Sequence, residues 1–104
     1  MKEFGASKFK DLTVSGDLTV SGNTTTSTNT TVTDKLIELA NGTTGTPSAD
    51  AGIIVERGDS ANAALVYDES AGAWVAATTS ATGASSGALT LTPTDLNISD
   101  LQFT

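Results

Sequence analysis

The residues of this chain best equipped for chemistry lie between positions 56 and 74. Asp68 and Glu69 stand side by side, and two carboxylates flanking a sugar linkage are the minimum equipment for glycoside hydrolysis. Neighbours on a strand point to opposite faces, however, and "DES" reads as the entrance to a turn, so the pair is expected to serve the turn and solubility rather than catalysis. Arg57 is the only arginine. With Glu56 facing away from it, its planar fork is a candidate for an inter-subunit ion pair with Asp68 or Glu69. Tyr67 and Trp74, the only tyrosine and tryptophan, could stack on a sugar ring, but are better read as packing residues of a small sheet or of a subunit interface.

The chain has no cysteine and no histidine. Disulfides, thiolate nucleophiles, imidazole bases and the usual zinc ligands are therefore excluded. No phosphate loop or nucleophile elbow is present either, and the chain is read as non-catalytic and free of cofactors. Asp11, Asp17, Asp95 and Asp100 each open a short repeat. Hydrogen-bonded corners account for them more simply than a cation site. A net charge of −7 with three of five basic residues in the first ten positions argues against nucleic acid as a partner. No apolar run approaches the roughly 18 residues of a membrane helix, and no apolar core follows the charged start, so neither a span nor a secretion signal is expected.

These residues must be positioned by β-structure. Of the 104 residues, 38% are hydrophobic and only 5% aromatic, which leaves a compact monomer with a thin core. Threonine is the prominent polar residue, and it is β-branched. "DLTVSGDLTVSG" (Asp11–Gly22) writes one hexapeptide twice. Leu12, Val14, Leu18 and Val20 alternate with Thr and Ser, so each unit reads as a very short strand closed by a Ser-Gly corner. Two copies are too few for a single-chain solenoid. The missing cover is expected from other copies of the chain, three of them winding Leu and Val around a common axis.

The expected organisation follows. Residues 1–10 form an N-terminal arm and 11–33 a repetitive shaft. Residues 34–51 are a connecting segment, in which "DKLIELA" reads as a brief helix or a strand, followed by a Gly-rich loop. Residues 52–78 form a three-stranded antiparallel meander, with strands "GIIVERG", "AALVYD" and "AWVAAT" joined by the turns "DSAN" and "ESAG". Residues 79–87 are linker. Residues 88–104 return to shaft, placing Leu89, Leu91, Leu96 and Ile98 beside Leu12, Val14, Leu18 and Val20 in the shared core. The fold class is all-β: an elongated, intertwined homotrimeric β-fibre carrying a small meander.

The succession "LTVSGDLTVSG", "ELANGTTGTPSADAGIIVERG", "YDES" and "SATGASSGALTLT" resembles a module of fibre-like structural proteins of tailed bacteriophages, of the cyanophage type. The resemblance covers residues 11–92. Its most specific part is the Gly-rich loop, apolar triplet and Glu-Arg-Gly followed by the aromatic-Asp-Glu-Ser run. In that family Trp is expected more often where Tyr67 stands. The resemblance implies a virion appendage, commonly a homotrimer, with other virion proteins as partners. Carbohydrate recognition of a host surface through Tyr67 and Trp74 is the alternative it leaves open. It supplies no catalytic or receptor-contacting residue.

Overall fold

The computed structural model describes residues 8–22 and 26–103; residues 1–7 of the expected N-terminal arm lie outside them. The chain divides into two compact units, Met1–Thr33 and Asp34–Thr104. It is all-β, with no helix among the described residues.

In the first unit the backbone bends at Ser15–Gly16 and at Gly22, at the corners that Ser-Gly marks in the sequence. Between the corners it runs extended without forming hydrogen-bonded strands. A strand exists only as part of a ladder, and a six-residue unit offers no second strand within reach of its own backbone. Leu12, Val14, Leu18 and Val20 are all exposed.

The second unit is built on a four-stranded antiparallel sheet in the order β1 (Ala51–Arg57), β2 (Ser60–Asp68), β3 (Ala73–Thr79) and β4 (Leu91–Pro93). The expected meander is present and gains a strand from the segment read as C-terminal shaft. The first turn is tighter than "DSAN" suggests. Arg57 pairs with Ser60, leaving only Gly58 and Asp59 in the loop, and Gly58 has φ 80°. A two-residue hairpin with glycine first is the II′ arrangement, whose twist matches the flanking strands. Ser60, Ala61 and Asn62 therefore join β2, with a bulge against Val55–Arg57.

"DKLIELA" is neither helix nor strand. The Lys35 N–H donates to the Asp34 carboxylate at 2.8 Å, and seven residues are too few to nucleate a helix. The stretch ends in a turn where both the N–H and the hydroxyl of Thr43 donate to the Ala40 carbonyl, at 3.2 and 2.7 Å. Ala40 itself takes φ 58° there.

The core lies on one face of the sheet. Ala64, Val66, Ala77, Thr79 and Ala81 are buried, and among the described residues Val66, 1% exposed, is the only large side chain fully enclosed. Residues 79–87, read as linker, contribute to this core through Thr79 and Ala81. The Thr79 hydroxyl donates to the Thr90 carbonyl at 2.7 Å and accepts from the Ala81 N–H at 3.1 Å. Asn62 Nδ2 donates to the Ala81 carbonyl at 2.9 Å. Thr79 and Asn62 thus stitch the chain to the sheet and deliver β4 to the edge of β3.

Gly52 of β1 lies against the backbone of β2. A Cβ at this position would meet the Leu65 carbonyl oxygen and lie 2.6 Å from the Val66 Cα. Backbone cannot move aside as a flexible side-chain end can. Gly52→Ala is expected to destabilise the second unit by about 1–3 kcal/mol, the usual range for overpacking. Gly16→Ala, with nothing within 4 Å, should shift the midpoint far less. Paired chemical denaturation curves check the contrast; equal midpoints would contradict the close approach.

Candidate functional site

Asp50, just before β1, gathers three parts of the second unit. Its Oδ1 accepts from the Glu69 N–H at 2.9 Å and its Oδ2 from the Leu89 N–H at 2.9 Å. Its own N–H donates to the Gly87 carbonyl at 2.9 Å. One carboxylate therefore ties the β2–β3 turn and the approach to β4 to the start of β1. A depression of about 430 Å³ adjoins it, lined partly by Gly52, Val66, Thr82 and Leu89. Asp50 is the only charged side chain in that lining, and both its oxygens are already engaged.

Asp68 is a turn residue. Its Oδ1 accepts from the Ser70 hydroxyl at 2.7 Å and from the Ser70 and Ala71 N–H groups at 3.0 and 3.3 Å. The Gly72 N–H closes the turn onto the Asp68 carbonyl at 2.8 Å. The Ser70 hydroxyl, aided by the two N–H groups and opposed by desolvation, holds the Asp68 carboxyl below its ordinary value. A general acid needs the opposite shift. Glu69 follows in the same turn, its N–H given to Asp50. Arg57 lies at the far end of β1 from the Ala51–Tyr67 pair that neighbours Asp68. Its Nη1 donates to the Ala61 carbonyl at 3.1 Å, so within one chain the arginine braces its own hairpin. Among the described residues no group of three or more Asp and Glu is arranged to hold a metal ion.

Tyr67 and Trp74 are brought together as a cross-strand pair of β2 and β3. Their ring centroids are 5.5 Å apart and their planes cross at 83°, the favourable edge-to-face geometry. They stand on the sheet face opposite the core. By strand alternation and register, this face also carries Ala51, Ile53 and Val55 of β1 with Arg57 at its hairpin end, Ala63 and Leu65 of β2, and Ala76 and Thr78 of β3. Its large side chains are open: Trp74 is 68% exposed, Ile53 59%, Val55 55% and Leu65 48%. Ile37 and Leu39 flank it, completing an apolar groove of about 420 Å³ with Ile53, Leu65, Tyr67 and Trp74. Sequence reasoning singled out the two aromatics but not the groove, whose signal was the odd-numbered alternation Ile53, Val55, Leu65, Tyr67. Asp50 was missed altogether, since a lone aspartate between a loop and a strand has no periodic signature.

Of the eight residues expected in a shared core, Leu89 and Leu91 are half-buried, Leu91 within β4 opposite Thr79. The other six, Leu12, Val14, Leu18, Val20, Leu96 and Ile98, are exposed. Comparison with known protein families, curated proteins and solved structures finds nothing that matches this chain.

Asp50→Asn is expected to cost about 1–3 kcal/mol, because one amide oxygen cannot accept both N–H groups and the amide NH₂ would face a donor. Denaturation midpoints of the purified variant check this, and an unchanged midpoint would contradict the clasp. The depressed Asp68 gives a signed pH effect. Its stabilisation is present above the unfolded value, near 3.8, and is lost as pH falls through the lower folded value. Ser70→Ala, which removes the main cause of the shift, should flatten the fall in melting temperature below about pH 4. Parallel melting curves for the two proteins would contradict the assignment.

Proposed function

We propose that this chain is a non-catalytic structural segment of a bacteriophage virion appendage, a homotrimeric β-fibre whose subunits share their cores. The observation that carries the reading is the mismatch between apolar side chains and cover. Among the described residues only Val66 is a fully buried large side chain, whereas Leu12, Leu18, Ile53, Trp74, Leu96 and others stand exposed. Area removed from water contributes about 25 cal/mol per Å² whichever chain supplies the cover, so association with further copies resolves the mismatch without a longer sequence. The hexapeptide repeat and the resemblance over residues 11–92 support the fibre and the virion setting, with other virion proteins as neighbours. Arg57 then has a second task available, an inter-subunit pair with Asp68 or Glu69 of another copy. End-to-end stacking of trimers into a filament is a further form of the same reading.

One observation favours a second reading, a carbohydrate-recognising module: Trp74 is open to solvent beside Tyr67. Against it, the groove around Trp74 is lined by aliphatic residues, and sugar recognition needs placed polar groups to bond the hydroxyls.

Light scattering coupled to size exclusion, followed by small-angle scattering, tests the proposal. A trimer with a radius of gyration well above the roughly 13 Å of a compact 100-residue domain is expected. A compact monomer at every concentration would overturn the fibre and move the weight to the glycan module, for which binding lost in Trp74→Ala is the check.

A further inference from the structure

We infer that the groove-bearing face of the sheet, centred on Ile53, Leu65 and Trp74, is the surface through which copies of this chain associate in the second unit. The count of three copies rests on the fibre reading above; the choice of face rests on the sheet itself.

Three properties select a second copy as the occupant. First, charge: the chain carries −7, yet this face holds no acidic residue: residues 51, 53, 55, 63, 65, 67, 74, 76 and 78 are uncharged, and the one charge that alternation adds is Arg57 at the hairpin end of β1. The corresponding faces of other copies can turn toward a shared axis without the repulsion between carboxylates that other surfaces of an acidic chain would meet. Secondly, chemistry: the side chains there are aliphatic or aromatic apart from Arg57 and the Tyr67 and Thr78 hydroxyls. A polar ligand would find almost no hydrogen-bonding side chain, whereas an identical apolar face satisfies it fully. Thirdly, area: three strands about 4.8 Å apart and five residues long at about 3.3 Å per residue span on the order of 240 Å². That is well below the roughly 800 Å² per partner of a standard stable complex. The face is thus too small to hold a separate partner firmly by itself. Between copies it need supply only part of the contact, since exposed Leu12, Leu18, Leu96 and Phe103 repeat in every copy as well.

Trp74 is the chain's only tryptophan, so its fluorescence reads this face without any labelling. The experiment uses the full chain at concentrations where light scattering reports the oligomer, with acrylamide as quencher and free indole as reference. Quenching about fivefold weaker than for indole and a blue-shifted emission are expected, because a desolvated ring is shut off from solvent. Ile53→Asp, at an exposed position outside the core, should weaken association by more than about tenfold, since it would bury an unpaired charge. It should also return Trp74 to solvent. A trimer in which Trp74 is quenched as freely as indole would overturn the choice of face while leaving the fibre standing. So would an Ile53→Asp protein that keeps both its mass and its shielded tryptophan. A wild-type monomer at every concentration would overturn the fibre, and this inference with it.

Discussion

The carboxylate of Asp50 sets the form of the second unit by engaging the N–H of Glu69 on one side and that of Leu89 on the other. Hydrogen bonds to an ionised acceptor are shorter and stronger than neutral ones, and these two link positions 19 and 39 residues away in sequence. With the Asp50 N–H held by Gly87, they bring the segment before β4 back to the start of β1. From there Leu91–Pro93 can pair with β3, and Thr79, Asn62 and Ala81 fasten the intervening loop. The four-stranded sheet thus depends on a polar clasp as much as on its core.

The clasp also decides which face is covered, and side-chain size follows the decision in an unusual way. The inner face presents Ile54, Ala64, Val66, Val75, Ala77 and Thr79, whereas the open face presents the larger set Ile53, Val55, Leu65, Tyr67 and Trp74. A sheet that stood alone would place its largest apolar residues inward, where each contributes about 1.5–3 kcal/mol on full burial. Small residues on the inner face instead let backbone approach backbone, as at Gly52 and Val66. The bulky residues are left to a surface that has no cover in the single chain.

Much of this was legible in the sequence and some was not, for identifiable reasons. The reading of turn signals placed β1, β2 and β3 because each is a short apolar run bounded by glycine-containing or polar turns. It misplaced the first turn because Ser60 and Asn62 have turn-like side chains, while the φ of Gly58 settles the loop at two residues. The fourth strand was hidden because "LTLTP" continues the same period as the shaft-like residues after it, and pairing with β3 is decided by Thr79 and Asp50, far away in sequence. "DKLIELA" offered apolar residues for a helix but no length to stabilise one. Which sheet face is inward cannot be read from alternation, since both faces of β1 and β2 carry apolar residues. Only the clasp and the loop after β3 distinguish them.

The sheet's edges make the open face the more natural route to association. An edge strand with free N–H and C=O groups is a template for adding another chain, and proteins blunt such edges with charges, bulges, proline and brevity. Here β4 has three residues and ends in Pro93, which lacks an N–H to offer. At the other edge, β1 reaches its hairpin through a bulged stretch bearing Glu56 and Arg57. Growth by strand addition is opposed where β4 covers Ala77–Thr79 of β3 and at the hairpin end of β1. Within the open face no charge and no proline interrupts the row of Ile53, Leu65 and Trp74, Arg57 lying at the hairpin end of β1. With the edges blunted at β4 and at the hairpin end of β1, the apolar face offers other copies the less obstructed route to association.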